Sequence, residues 1–292
     1  MDVSQNIQLI LPTLVPPPGP TSPALSPAPA SSSPVFTRYV YEKDEVIYSL
    51  LSAIVSRERD EALFWAFELY YSGFVEEWVV SMRWLVRAYS ATPRFVQYVH
   101  RQLDALATLL PGPSEEADCL VGSVVANFIH REYTLPDEFL VGIDIPSPTV
   151  PILSNLYIRF RPRDLLPYRT RVPHPSEPAW KYLRVVSVYT IRKPTPIYRH
   201  ELGLSGTYPA DDYRLHWLYY CIPTPIWQSR MSPYRSLRID HDSRMVHFDS
   251  DEEMESFYRH YGFEPDEQPV EIHWAHGIYE NREIHSAHHL LL

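Results

Sequence analysis

Histidines crowd the end of this chain, and imidazole nitrogens are common ligands of zinc and other transition metals. His273 and His276 form one His-x-x-His pair, and His285 and His288 form a second. Imidazoles three residues apart can share a metal on one helix face, which makes these four the candidate metal ligands of a metal-dependent enzyme. The region is short and contains no cysteine. The sequence therefore favours a merely polar tail over a physiological metal site.

The usual signatures of catalysis are missing. The sequence contains no GxSxG, HExxH, GxGxxG or GxxxxGK[ST] motif, and no Cys–His arrangement with a supporting context. Missing motifs do not exclude catalysis, but a functional site usually leaves a convergent polar cluster in the sequence. The sequence therefore favours an interaction or structural protein over an enzyme, and it assigns no catalytic residue and no cofactor.

A different chemistry lies in the cations of residues 157–199, where ten basic side chains face only two acids. Aromatic residues lie between them, as on nucleic-acid surfaces where cations meet phosphates and rings stack on bases. The formal net charge of −10 and the many prolines favour protein as the partner, with nucleic acid as the alternative. The candidate contact residues are Arg159, Arg161, Arg163, Arg169, Arg171, Lys181, Arg184, Arg192 and Lys193.

The charge balance reverses near the end of the chain. From residue 251 onward ten acids face two basic residues. The basic and acidic regions are complementary, so pairing with each other or with neighbouring subunits is the simplest explanation of both.

One carboxylate stands alone in the apolar run of residues 63–71, which lies within DEALFWAFELYYSGF, residues 60–74. A helix that is apolar on every side must be covered on most sides, which predicts the central helix of a bundle. Glu68 lies in this run, and a buried carboxylate needs a cation. We expect Arg83 or Arg87 to supply it. We interpret Glu68 as a buried structural charge and not as a catalytic acid.

Five helices are predicted in the first half of the chain. Apolar spacing, capping residues and helix-stop signals predict them, and short connections make neighbouring helices antiparallel. The predicted helices are one with residues 46–55 on its apolar face, one at 59–72 before Gly73, one at 75–90, one opened by Pro93 and one opened by Ser114.

The second half is irregular and rich in proline. Short β-like runs occur at residues 153–160 and 183–191, and a helix is predicted from residue 211 to 221. Residues 236–240 and 245–248 read as a β-hairpin. Ser250 and Glu253 then form a capping box for a last helix, which Gly262 ends.

We predict an α+β fold, with an N-terminal helical bundle followed by a proline-rich mixed α/β region. Four parts are expected along the chain. They are a disordered Pro/Ser/Ala-rich tail (1–36), the helical bundle (37–132), a proline-rich basic segment with irregular and β structure (133–210), and a C-terminal helix, hairpin, helix and acidic His-rich tail (211–292).

The setting is expected to be intracellular. The start, MDVSQNIQLILPTLV, lacks the basic region of a signal peptide, and no window approaches the length of a membrane-spanning helix. Two widely separated cysteines do not suggest a disulfide framework. We therefore predict a protein that is neither secreted nor membrane-spanning.

Three blocks carry a resemblance to a known family: DEALFWAFELYYSGF, HWLYYCIPTPIW and FYRHYGFEPDEQP. Through them the chain resembles an uncharacterised protein family of nucleocytoplasmic large DNA viruses, the giant viruses, over scattered parts of residues 41–269. The resemblance implies a host cytoplasm or viral factory, but it brings no activity and no site residues. The first block also resembles, more weakly, the helical collar of clamp-loader ATPases, yet the phosphate-binding loop is missing.

The function expected from these observations is that of a viral structural or scaffolding protein that contacts other viral proteins, either inside the virion or in the infected cell. The alternative is an accessory factor of viral replication or transcription that uses residues 157–199 on nucleic acid. The third hypothesis is a metal-dependent enzyme that uses the C-terminal histidines. The sequence leaves the oligomeric state open.

Overall fold

Helices dominate the part of the chain that the structure describes. This computed structural model describes residues 34–88, 92–109, 114–143, 151–153, 156–165, 189–204, 212–234 and 237–261 of the 292 residues. Over these residues the fold is α+β, mostly helical, with one small antiparallel sheet.

The five helices predicted in the first half are present, and their ends follow from local chemistry. Ser114 Oγ accepts the Ala117 N–H at 3.1 Å, which caps the fifth helix. Gly73 ends the second helix in the left-handed region, with φ of 92°, which glycine adopts without strain. The helices are α1 (Lys43–Val55), α2 (Arg59–Ser72), α3 (Val75–Ala88), α4 (Pro93–Leu109) and α5 (Glu115–Ile129).

The later elements are shorter. Strand β1 pairs with β2 in antiparallel register, with Ile239 opposite Val246, and Ser250 Oγ accepts the Glu253 N–H at 3.2 Å at the start of the last helix. The elements are 3-10 turns at Asp137–Phe139 and Pro162–Leu165, α6 (Pro196–Leu202), α7 (Asp212–Cys221), α8 (Pro225–Met231), β1 (Arg238–Asp240), β2 (Met245–His247) and α9 (Asp251–Tyr261).

Helix α2 lies at the centre of the first half. It contacts α1, α3, α5 and α8. Trp65, Phe67 and Leu69, which lie on different sides of the helix, are fully buried. This environment explains an apolar run without a polar face, because nearly every side of the helix is covered by another element.

Buried apolar residues form two clusters. The first joins α1–α5 and includes Phe160, Leu165 and Tyr198 from downstream segments. The second joins α7, α8, β2 and α9, where the rings of Trp217 and Trp227 meet edge to face at 5.1 Å. The helices α1–α5 and the later group of α7, α8, β2 and α9 are therefore built around two different apolar clusters.

Residues 36–42, which we call the arch, link the two clusters. Phe36 and Val40 pack in the second cluster, whereas Tyr39 and Tyr41 pack in the first. Val40 adopts a φ of 62°, which is unusual for a β-branched residue. This turn lets side chains of one short segment enter both cores.

The arch also corrects the predicted boundary of the N-terminal tail. Residues 34–36 were assigned to the tail, but Phe36 is fully buried and its N–H donates to the Tyr220 carbonyl at 3.2 Å. Trp227 Nε1 donates to the Thr37 carbonyl at 2.9 Å. The ring and the backbone of this segment have partners far away in sequence, which composition could not reveal. Residues 1–33 lie outside the described residues.

Glu68 is fully buried, and its partner is an arch residue. Arg38 Nε donates to Glu68 Oε2 at 2.8 Å, and the Tyr39 N–H donates to Oε1 at 3.1 Å. The expectation that Arg83 or Arg87 supplies the cation is wrong. Arg83 pairs with Asp104 near the surface, and Arg87 is exposed. The expectation failed because the arch reaches α2 from outside the predicted helices.

The β-like run at residues 153–160 is also corrected. Residues 153 and 156–160 form no strand. The Leu153 N–H donates to the His130 carbonyl, and residues 156, 158 and 160 bond side chains of α5 and of Arg131 just beyond it, so none of them pairs with another strand. Residues 189–191 are likewise not a strand, and 183–188 lie outside the described residues. The short helices α6 and α8 were not predicted, although each begins with Thr-Pro, a common helix start.

A search of the described residues for a helix both long enough and apolar enough to span a bilayer finds none.

Candidate functional site

Residues 156–165, which we call the strap, run along the surface of α5. Arg131, just beyond α5, donates from Nη2 to the Leu156 carbonyl at 2.6 Å. Asn127 binds Ile158, and the Phe160 N–H donates to Ser123 Oγ at 2.9 Å. The strap therefore runs antiparallel to the helix, towards its N-terminus.

The spacing of these contacts shows that the first part of the strap is extended. Every second strap residue, 156, 158 and 160, meets every fourth residue of the helical stretch, 131, 127 and 123. Four helical residues rise about 6 Å, and two extended residues rise about 6.6 Å. The match of the two periods keeps the strap in register with α5.

Asn127 is the central attachment of the strap. Its Nδ2 donates to the Ile158 carbonyl at 2.7 Å, and its Oδ1 accepts the Ile158 N–H at 3.0 Å. The amide thus binds both backbone groups of one residue, as a neighbouring strand would. Nδ2 also contacts the Ser123 carbonyl and the Tyr98 hydroxyl. Since Asn127 is fully buried, these bonds satisfy polar atoms that would otherwise be costly.

Arg131 closes the end of α5 where the strap begins. A cation at this position is favoured by the negative end of the helix dipole. Its guanidinium lies 4.6 Å from the centre of the Tyr157 ring and 5.4 Å from that of Phe95, and burial lowers its pKa. Tyr157 also stacks on Tyr98 at 4.1 Å. These contacts order the start of the strap.

Gly122 makes the far attachment possible. A Cβ atom at this position would lie 2.4 Å from the Phe160 ring, so only glycine allows the ring to reach the helix. Phe160 is consequently 4% exposed and belongs to the first core. The strap is thus fixed by an apolar anchor as well as by hydrogen bonds.

The outward side of the strap carries cations. Arg159, Arg161 and Arg163 are all exposed, and Leu156 is 71% exposed. Asp164 accepts the Arg161 N–H at 2.9 Å and lies 3.7 Å from Arg163 Nε. We call these three arginines the arginine row. They are part of the basic region predicted from sequence, here brought onto one segment that is bonded to α5.

The other predicted contact residues do not lie on the strap. Arg192 is engaged inside the fold. Its backbone N–H donates to Ser49 Oγ at 2.8 Å, and its guanidinium bonds Ser52 and pairs with Glu61 at 3.2 Å. Lys193 is exposed, but it is not on the strap. Arg169, Arg171, Lys181 and Arg184 lie outside the described residues.

The metal hypothesis has no counterpart in the described part of the chain. Within those residues, no group of three or more His, Cys, Asp or Glu side chains could hold a metal ion. The four candidate ligands His273, His276, His285 and His288 lie outside them.

Sequence reasoning missed the residues that hold the strap. Ser123, Asn127 and Arg131 recur at intervals of four and form a polar stripe in an otherwise apolar region. Such a stripe on a buried helix predicts a hydrogen-bonded partner along that face. This spacing was the available signal.

The chain was compared with protein-family models, with curated proteins and with solved structures, and nothing matches it.

Proposed function

We propose that this chain is a non-enzymatic structural or scaffolding protein of a giant virus, which binds other viral proteins in the virion or in the viral factory of the host cytoplasm. The observation that carries the proposal is the arginine row on a strap whose backbone is fixed to α5. The viral setting rests on the sequence resemblance given above.

The arrangement of the strap suits protein binding. Arginine is enriched at protein interfaces and at their hot spots, and exposed Leu156 adds an apolar contact next to the row. Binding by a segment that is already ordered loses little conformational entropy. The bonds from Asn127, Ser123 and Arg131 supply this order before any partner arrives.

In this proposal the helices α1–α5 act as a bundle that serves as a platform. The described segments of the proline-rich region 133–210, the strap among them, are the mixed layer packed onto it and present the contact surface. Phe160, Leu165 and Tyr198, which belong to the first core, support this division of roles.

A second candidate function is nucleic-acid binding through the same arginine row, as an accessory factor of viral replication or transcription. The cations suit phosphates, but the two rings of the strap itself are already engaged in the fold. Tyr157 already contacts Tyr98 and Arg131, and Phe160 is buried. Protein contact is therefore the better fit.

Cross-linking mass spectrometry of infected cells and purified particles tests the proposed function. The test variant carries Arg159→Glu, Arg161→Glu and Arg163→Glu. We expect reproducible cross-links between the strap and specific viral proteins, and their loss in this variant. A matched control replaces exposed Arg87, Arg101 and Arg238 by glutamate, with the same change in net charge, and should keep the cross-links.

Two results would count against the proposed function. Strap cross-links that persist in the test variant would remove the arginine row from the interface. Cross-links to RNA or DNA alone, with retention on nucleic acid that collapses steeply between low and moderate salt, would favour the second candidate instead.

A further inference from the structure

We propose that the free edge of the strap at Tyr157 and Arg159 binds an acidic peptide segment of a partner protein as an added β-strand. This inference rests on the proposed function and names the chemistry of the partner. It follows from the direction of the strap's backbone groups, from the charges beside them and from the attachment of the strap to α5.

The first step concerns backbone hydrogen bonds. In an extended chain, the N–H and C=O groups of successive residues point to opposite sides. The Leu156 carbonyl, both groups of Ile158 and the Phe160 N–H are used towards α5. The intervening residues, Tyr157 and Arg159, must therefore direct theirs away from the helix. Among the described residues, the backbone groups of these two have no hydrogen-bond partner.

The second step concerns what a partner strand would meet. A strand added at this edge would lie about 4.8 Å away and could pair with both free residues. Unpaired extended backbone of this kind is a template for strand addition, which natural edges usually block by bulges, proline or charge. The arginines beside this edge are positively charged, so they repel a positively charged strand and attract a negatively charged one.

The third step identifies that complementary charge. Arg159 and Arg161 flank the free edge and are exposed, and the nearby acid Asp164 is already bonded to the Arg161 backbone. A strand rich in glutamate or aspartate would pair its backbone with the edge and its carboxylates with the guanidinium groups. Exposed Leu156 would cover an apolar or β-branched residue of the same peptide.

The fourth step concerns cost. Strand addition onto a flexible segment must order both chains, but the strap is held at three points along α5. Asn127 fixes both backbone groups of Ile158, directly between the two free residues. The edge is therefore presented in a binding-ready form, and only the incoming peptide loses conformational freedom.

The experiment measures binding of a short fluorescein-labelled peptide of alternating glutamate and threonine to the full-length protein by fluorescence anisotropy. Two further peptides carry N-methyl groups on every second amide, in one register or the other. A strand edge uses only alternate amides of its partner, so we expect one methylated peptide to bind like the parent. The other should bind at least about tenfold more weakly, because it loses backbone hydrogen bonds. The protein is unchanged in this comparison, so misfolding cannot mimic the result.

Protein variants test the charges. Arg159→Gln and Arg161→Gln should each raise the Kd of the parent peptide by about two- to fivefold, which is the effect expected from loss of one exposed ion pair. Arg238→Gln, an exposed arginine on β1, should leave the Kd unchanged. Amide exchange at Tyr157 and Arg159 should slow when the peptide is bound, whereas exchange at Ile158 should not change.

Three outcomes would overturn the inference. Equal binding of both methylated peptides would show attraction by side chains alone and would exclude strand addition, although the cross-linking result for the proposed function would stand. Absence of binding by the parent peptide would exclude an acidic strand as partner. Displacement of the peptide by single-stranded DNA that itself binds more tightly would assign the edge to nucleic acid.

Discussion

Replacing Glu68 by glutamine should destabilise the protein strongly, because it leaves a buried guanidinium without its carboxylate. The side chains of Arg38 and Glu68 are 2% and 0% exposed, so water cannot solvate the remaining charge. Glutamine keeps an acceptor for the Tyr39 N–H, and the change in volume is small. The effect therefore isolates the loss of charge from the loss of packing.

The expected size follows from the surroundings of Arg38. Removing one partner of a buried ion pair typically costs about 3–5 kcal/mol. The guanidinium also lies 4.5 Å from the ring centre of Tyr39 and 4.9 Å from that of Tyr71, and these cation–π contacts survive the substitution. We therefore expect the lower end of the range, about 3 kcal/mol of unfolding free energy.

Urea unfolding followed by circular dichroism measures this change, with the m-value as a check that the same surface is exposed on unfolding. The control is Asp104→Asn. It breaks an ion pair of equal length, 2.8 Å, whose side chains are 39% and 67% exposed, and it should cost less than about 1 kcal/mol. The double variant Arg38→Met with Glu68→Leu should recover most of the lost stability, since neither charge remains buried. A loss for Glu68→Gln no greater than that for Asp104→Asn would refute this account of the arch.

Three further predictions follow from other sites. Gly122→Ala should destabilise by about 1–3 kcal/mol in urea despite alanine's better helix propensity, since its Cβ would displace Phe160, and adding Phe160→Ala should remove the strain. Burial and the nearby Asp44 carboxylate raise the pKa of Glu42 from 4.5 to about 8. Between those pH values the folded state therefore holds this proton while the unfolded state releases it. The contribution of Glu42 to stability thus falls as pH rises from about 4.5 to 8. Glu42→Gln should flatten this trend in a pH series of unfolding midpoints. With a thiol reagent on the folded protein, half-buried Cys119 should react before denaturation and fully buried Cys221 only after it, and equal rates would contradict the second core.

The features that sequence reasoning predicted well are those with local causes. The ends of α2 and α5 depend on Gly73 and Ser114, which act within one helical turn of their own positions. The capping box of α9 and the hairpin before it are equally local. Such signals can be read from a few neighbouring residues, so no knowledge of the remaining fold was needed.

The features that were missed depend on contacts between distant residues. Arg38 pairs with Glu68 across 30 positions, and Asn127 binds Ile158 across 31. From Ile158 to Arg161 the strap alternates between more and less buried residues as a strand would, but its hydrogen bonds go to side chains of a helix. Alternation alone cannot tell these two partners apart. The arginine row was identified from sequence, whereas its attachment to α5 was not.

The arch sets a constraint on how the protein can be made. Its carbonyls at Thr37 and Arg38 accept bonds from Trp227 and Arg230, which follow 190 and 192 positions later. Ribosomes add about 5–20 residues per second, so roughly 10–40 s separate the synthesis of the arch from that of α8. During this interval Phe36 lacks its apolar pocket, and the nascent chain exposes the apolar side chains of the arch. Completion of the fold is thus a late event, and chaperones have a defined window in which to act on the growing polypeptide.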